Sequence, residues 1–154
     1  RAVMKLLFVE DDANNAGKIT SDLAIRHHEI KIFRARSFTS GLECLVRSGV
    51  EISGVILDMS MPSYDNSSEA PEHFAGRDLL QQCKMRRIFK PTVVVTMLDR
   101  FGSGGAQLTL EQLDKQLMEK FSPNYLGVVY FSSVNDLWKN ELSQFIKQME
   151  EWKS

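Results

Sequence analysis

The feature that most constrains the fold is a strict alternation of two apolar patterns along the 154 residues. Short runs rich in Val, Ile, Leu and Phe are typical of strands buried on both faces. These runs are KLLFV (5–9), IKIFRA (30–35), GVILD (54–58), PTVVVTM (91–97) and YLGVVYF (125–131). A longer segment with apolar residues at helical spacing follows each run, at 14–28, 37–49, 76–89, 109–121 and 133–152.

Five such units in series predict an α/β fold with a doubly wound, five-stranded parallel sheet between two helical layers. One domain is expected over residues 4–152. Residues 1–3 are interpreted as added sequence before a natural start at Met4.

The last two helices carry start signals in the sequence. Thr109 and Gln112 have the spacing of a capping box at the fourth helix. Ser133 and Asp136 suggest a cap that begins the fifth.

Composition narrows the function classes. The formal net charge is −1, so bulk charge does not favour nucleic acid or membrane binding. No apolar run approaches the ~20 residues that span a bilayer, and no signal peptide is visible. Cys44 and Cys83 fall in helical patterns and are interpreted as small buried hydrophobic residues. A reducing cytoplasm is therefore the expected location.

Acidic residues follow two of the predicted strands. Glu10, Asp11 and Asp12 end the first strand, Asp58 ends the third, and Thr96 ends the fourth. Taken separately, the first group could be a solvated loop with a helix cap, and Asp58 a turn residue. If these strands are neighbours, the carboxylates converge in one crevice, and a shared proton or a divalent cation would relieve their repulsion. Carboxylate and water oxygens suit Mg²⁺.

Two stretches, LLFVEDD and VILDMSMP, together with PTVVVTM, resemble the receiver domain of two-component response regulators, a flavodoxin-like fold. The resemblance runs from Met4 to about Trp152. Pro62 and Gly76 match a proline and a glycine of that family.

The resemblance implies a role for each site residue. Asp58 would be the phosphoacceptor, and the hydroxyl of Thr96 would bond the phosphoryl group. Glu10, Asp11, Asp58 and the backbone carbonyl of Ser60 would hold Mg²⁺. A carboxylate nucleophile of this kind forms a covalent phosphoryl intermediate.

The sequence departs from the family at the fifth strand. Tyr130 and Phe131 stand where the family has Lys-Pro, and no lysine occurs from Asn124 to Trp138. The family's switch aromatic corresponds to Gly127. Lys90 precedes a strand and is expected at the opposite end of the sheet.

Two connections at the expected active-site end are long, 63–75 and 98–108. They are either surface loops whose sequence and length vary without functional consequence, or segments that cover the pocket or form a surface for a partner. Arg100 in the second is a candidate substitute for the absent lysine. His73 is interpreted as an inert surface histidine, and GSGG (102–105) lacks the lysine of a phosphate-binding loop.

Three functions stay open. The first is a receiver that accepts a phosphoryl group on Asp58 in a phosphorelay. Its partners would be a histidine kinase or histidine phosphotransfer protein, an unknown output protein and, for dimerisation, a second copy. No DNA-binding domain and no membrane contact are expected, and the chain is a signalling domain rather than an enzyme. The second is a pseudo-receiver that binds partners without phosphorylation. The third, a haloacid dehalogenase-like phosphatase, needs an Asp where Ser60 stands.

Overall fold

The computed structural model describes residues 3–102, 105 and 107–152. Strands and helices follow in the order β1 (Lys5–Val9), α1 (Ala13–Arg26), β2 (Lys31–Ala35), α2 (Phe38–Ser48), β3 (Gly54–Asp58), α3 (Ala75–Arg86), β4 (Thr92–Thr96), β5 (Arg100–Phe101), β6 (Leu108–Thr109), α4 (Leu110–Phe121), β7 (Tyr125–Tyr130) and α5 (Leu137–Glu151). Five strands form one parallel sheet in the order β2-β1-β3-β4-β7. The predicted five-stranded, doubly wound α/β fold is confirmed.

The central strands are apolar throughout because each serves two cores. Successive side chains of a strand point to opposite faces of the sheet. Leu7 and Val9 of β1 pack with residues of α2, α3 and α4, whereas Leu6 and Phe8 pack with residues of α1 and α5. All four side chains are fully buried. The same requirement explains the continuous apolar runs of β3 and β4.

The strand order places a crevice at the carboxyl end of β1. Because β2 lies on one side of β1 and β3 on the other, the connections that leave these strands diverge there. Ligands of open α/β sheets bind at such a point. Glu10, Asp11 and Asp12 follow β1 directly, so the topology brings them beside the end of β3.

One of the two predicted helix caps is confirmed and the other is wrong. Thr109 and Gln112 form a reciprocal capping box at α4. Helix α5 begins at Leu137 rather than at Ser133, with Asp136 as an N-cap that lacks a side-chain bond. The side chain of Asn135 accepts the backbone N–H of Leu137 at 3.1 Å, which turns the chain just before the helix.

Two short strands, β5 and β6, lie near the two ends of the connection predicted over 98–108. They pair antiparallel, with Arg100 opposite Thr109 and Phe101 opposite Leu108. Phe101 is buried, and its ring centroid lies 6.4 Å from that of Phe74. A two-residue strand has no readable period, so the sequence carried no signal for it.

The prediction that both cysteines are buried is confirmed for Cys83 but not for Cys44. Cys83 is buried in α3, whereas Cys44 in α2 is half-buried, and both are free thiols. No helix within the described ranges is long and apolar enough to cross a lipid bilayer.

Candidate functional site

A cavity of about 300 Å³ opens at the carboxyl ends of β1, β3 and β4. Its lining contains Glu10, Asp11, Asp58, Ser60 and Thr96, so the structure brings these predicted site residues together. A larger groove of about 870 Å³ lies at the opposite end of the strands, beside Ser53 and Lys90. We place the candidate site in the smaller cavity, because parallel sheets bind ligands at their carboxyl ends.

The carboxyl groups of Glu10 and Asp58 are in hydrogen-bonding contact. Burial, followed by the charge of Asp58, raises the pKa of Glu10 to about 9. Burial also raises the pKa of Asp58 to about 6, although the hydrogen bond with Glu10 acts in the opposite direction. The pair therefore holds a proton near neutral pH in the absence of a cation.

Asp12 has a different role from the two acids before it. It is the N-cap of α1, and its carboxylate accepts the backbone N–H of Asn15 at 2.9 Å. Its own N–H donates to the carboxylate of Glu10 at 3.2 Å. The cap interpretation of the acidic run is thus correct for Asp12, whereas Glu10 is 5% exposed and faces Asp58.

Asp58 is held by the turn that follows β3 and by α3. The backbone N–H of Ser60 donates to Asp58 at 3.4 Å. The N–H of Gly76 donates to the Met59 carbonyl at 2.8 Å. A Cβ at Gly76 would lie 2.7 Å from the Asp58 carbonyl oxygen, so only glycine permits this approach of α3.

Thr96 presents a hydroxyl at the end of β4. Its side chain is buried, and its Oγ1 accepts the backbone N–H of Leu98 at 3.1 Å. That bond uses an oxygen lone pair and leaves the hydroxyl proton available for another acceptor. The geometry suits a donor to an anionic group in the cavity.

The fifth strand of the sheet, β7, ends beside the end of β4. Tyr130 is paired with Thr96, and the N–H of Phe131 donates to the Thr96 carbonyl at 2.8 Å. Tyr130 is 45% exposed and does not line the cavity, whereas Phe131 does and packs against Trp138 at 4.8 Å. At Gly127 a Cβ would lie 2.5 Å from the Phe145 ring, so this ring occupies the space of a larger side chain.

Arg100 does not line the cavity. It is exposed in β5, and its guanidinium donates to the Asp99 carbonyl at 3.1 Å. Within the described part of the chain, the cavity lining contains no lysine and no arginine. The structure gives Arg100 no contact that would make it a substitute for the absent lysine. Part of the neighbouring GSGG stretch, Ser103 and Gly104, lies outside the described residues.

The connection 63–75 is fastened to the start of α2. Ser37 donates its hydroxyl to Asp65 at 2.6 Å, and Thr39 donates both its N–H and its hydroxyl to the Ser63 carbonyl, at 2.9 and 2.6 Å. Pro71, in the same connection, lines the cavity. His73 is exposed and is not part of the lining. The segment therefore reaches the site through Pro71.

Sequence reasoning missed Arg34. From β2, its guanidinium donates to the carbonyl oxygens of Glu10 and Asp11. The available signal was a second charged residue, after Lys31, in a short predicted strand. Its target was hidden, because the contact depends on β2 pairing with β1.

The chemistry of the acids fits a divalent cation. Glu10 and Asp58 are desolvated carboxyl groups in contact, and a cation would replace the proton that now separates their charges. The described side chains form no group of three acidic, His or Cys residues already close enough to hold a metal. Waters and a backbone carbonyl would thus complete the shell.

No family model matches the chain. The Detocs response regulatory protein DtcB of Enterobacter cloacae (strain JD6301) is 26% identical over 151 residues, 95% of this chain and 100% of that protein. The receiver domain of the Francisella response regulator 1452 is 17% identical, with a TM-score of 0.66 and coverage of 97% and 99%. A chain of the CheX-CheY-BeF3-Mg complex from Borrelia burgdorferi is 16% identical, with a TM-score of 0.69 and coverage of 97% and 90%.

The solved structures show that the fold is the receiver fold. The predicted resemblance is confirmed: the chain has the fold of response regulator receiver domains and is similar over its length to a response regulatory protein.

Proposed function

We propose that this receiver accepts a phosphoryl group on Asp58 with the help of Mg²⁺. The observation that carries the proposal is the meeting of Asp58, Glu10 and the Thr96 hydroxyl in one cavity. A carboxylate oxygen of Asp58 would attack the phosphorus of a phosphohistidine on a partner protein. The new P–O bond forms as the P–N bond breaks, and the electron pair stays with the departing imidazole nitrogen.

Glu10, Asp11, Asp58 and the backbone carbonyl of Ser60 would hold the metal. When bound, Mg²⁺ neutralises charge that develops on the phosphoryl oxygens. Thr96 would donate its hydroxyl proton to one of those oxygens. Loss of the proton held between Glu10 and Asp58 would leave Asp58 ionised and nucleophilic near neutral pH, and bound Mg²⁺ would favour that ionised form.

The partners proposed are a histidine kinase or a histidine phosphotransfer protein, and output would pass through contact with another protein or a second copy. The chain would act as a signalling domain rather than as an enzyme with a released product. The haloacid dehalogenase alternative has no support at Ser60, since a serine hydroxyl is a poor general acid at neutral pH.

One observation favours a second candidate, a pseudo-receiver that binds partners without phosphorylation. Tyr130, which the sequence alignment sets in the lysine position, has a side chain partly exposed to solvent, and no described basic side chain lines the cavity. A phosphoryl group would add about −2 charge beside Glu10 and Asp12. Without a lysine, only the metal and neutral donors would offset it.

The test is Mg²⁺-dependent labelling with acetyl phosphate, read by intact mass. We expect the wild type to gain one phosphoryl group, Asp58→Asn to gain none, and Asp136→Asn, a control on the surface, to behave as the wild type. Calorimetry should show weak Mg²⁺ binding that Asp11→Asn reduces. Absence of labelling at every Mg²⁺ concentration would select the pseudo-receiver.

A further inference from the structure

The hydrogen bonds of the Arg34 side chain go to backbone carbonyls of the acidic loop, residues 10–12. Its Nε and Nη2 donate to the Glu10 carbonyl at 3.2 and 3.0 Å, and Nη2 also donates to the Asp11 carbonyl at 3.1 Å. Among the described residues it forms no ion pair, although Glu10, Asp11 and Asp12 are close in sequence to the carbonyls it binds.

The strand pairing explains why these carbonyls need a donor. The ladder between β1 and β2 ends with the N–H of Glu10 donating to the Ala35 carbonyl at 2.9 Å. Beyond that bond, β2 has ended and offers no N–H to the carbonyls of Glu10 and Asp11. The half-buried guanidinium of Arg34 replaces the missing ladder donors with charge-assisted bonds.

The contact orients two residues at once. With its carbonyl held toward β2, Glu10 has its side chain on the side of Asp58. The N–H of Asp12, one peptide further, donates back to the Glu10 carboxylate. Because Arg34 bonds carbonyl oxygens rather than carboxylates, the acids stay available to a cation.

On the basis of the proposed function, we propose that Arg34 is a positioning residue that orients the Mg²⁺-binding acids Glu10 and Asp11 through their backbone carbonyls. Arg34 does not line the cavity in which the metal and the phosphoryl group would bind. Partners that orient metal ligands commonly change metal affinity by about 10- to 100-fold when they are removed.

Whether Mg²⁺ binds more weakly or more tightly after Arg34 is replaced distinguishes a positioning role from a purely electrostatic one. Removing a positive charge near a cation site should strengthen Mg²⁺ binding by simple electrostatics. Loss of positioning should weaken it instead, since the loop would have to be ordered as the metal binds. A general structural role would lower the folded fraction without a specific change in Mg²⁺ affinity.

The experiment is Mg²⁺ titration by calorimetry at fixed pH and ionic strength. We expect Arg34→Gln to bind Mg²⁺ about tenfold more weakly than the wild type, and Arg34→Lys to lie between them because an ammonium can still donate to a carbonyl. Lys31→Gln removes a positive charge from the same strand and should stay within about twofold of the wild type.

Labelling of Asp58 gives a second readout. In Arg34→Gln the half-saturating Mg²⁺ concentration should rise by the same factor, with labelling at saturating Mg²⁺ nearly retained. Equal or tighter Mg²⁺ binding by Arg34→Gln would overturn the inference. If Arg34→Gln fails to fold, Arg34→Lys decides instead. Mg²⁺ affinity and hydrogen exchange of the loop 10–12 that both equal those of the wild type would then overturn the inference. Absence of Mg²⁺ binding in the wild type itself would instead refute the metal site of the proposed function.

Discussion

The carboxyl groups of Glu10, which follows β1, and Asp58, which ends β3, contact each other in a cavity that Thr96 also lines. Their contact is the main electrostatic feature of the metal-free site. Both pKa values are raised, first by burial and, for Glu10, then by Asp58. The pair should therefore make stability depend on pH in a direction that can be measured.

For the metal-free protein, we expect the contribution of Glu10 to stability to be present below about pH 4.5 and to decline as the pH rises toward about 9. A raised carboxyl pKa favours the folded state only while the group is protonated. Glu10→Gln stays neutral, so its unfolding free energy should fall less over this range, by several kcal/mol, because each pH unit between the unfolded and folded pKa values is worth about 1.4 kcal/mol. Denaturant unfolding of both proteins at several pH values, in the presence of a chelator, measures the difference, and parallel curves would contradict it.

Gly76→Ala should destabilise the protein by about 1–3 kcal/mol and disturb the site. The new Cβ would lie 2.7 Å from the Asp58 carbonyl oxygen and 2.9 Å from Met59 Cα, and neither backbone group can rotate away. Gly17→Ala is the matched control, since nothing lies within 4 Å of its Cβ and it should gain roughly 0.5–1 kcal/mol in helix α1. Denaturant unfolding tests both changes, and equal effects would refute the steric argument.

Asp65→Ala should release the connection 63–75 from the start of α2. Hydrogen bonds from Ser37 and then Ser40 lower the pKa of Asp65. Because Asp65 is exposed, the loss of stability should be at most about 1 kcal/mol at pH 7. A carboxylate whose pKa is lowered by folding stabilises the folded state at pH values above the pKa of the unfolded state. The difference in unfolding free energy between the wild type and Asp65→Ala should therefore shrink on acidification below about pH 4.

Hydrogen exchange gives a local readout of that change. The amides of Phe38 and Thr39, which donate to Pro62 and Ser63, should exchange faster in Asp65→Ala. Glu69→Ala, in the same connection, is the control and should leave both amides protected. Unchanged protection in Asp65→Ala would show that the side-chain bond does not fasten the segment.

Tyr130→Lys should raise the rate or extent of Asp58 labelling by about fivefold or more. Tyr130 is paired with Thr96 at the rim of the site, and an ammonium donates a stronger, charge-assisted bond to a phosphoryl oxygen than a phenol does. Val134→Lys adds the same charge at an exposed position on the β7–α5 connection. Labelling by intact mass should distinguish them, and equal behaviour would mean that the lysine position plays no part here.

Many of the site residues were predictable because local sequence patterns show where the strands end. Short continuous apolar runs indicate the buried strands and a period of 3.6 indicates the helices between them, and the limits of those runs located the ends of β1, β3 and β4. From the ends alone, Glu10, Asp58 and Thr96 could be predicted to meet. Arg100 could not be judged in this way, because its exposure and its absence from the cavity lining depend on the pairing of β5 with β6.

The sequence alone determined the alternation of elements, the parallel sheet and the acids at its edge, since each depends on neighbours within a few positions. Tertiary structure decided what those residues touch. The contact of Arg34 with the acidic loop depends on β2 pairing with β1, and that of Asp65 with Ser37 on where α2 begins relative to β3. Such contacts join residues more than 20 positions apart, and their geometry is set by packing of the whole domain, which no local period encodes.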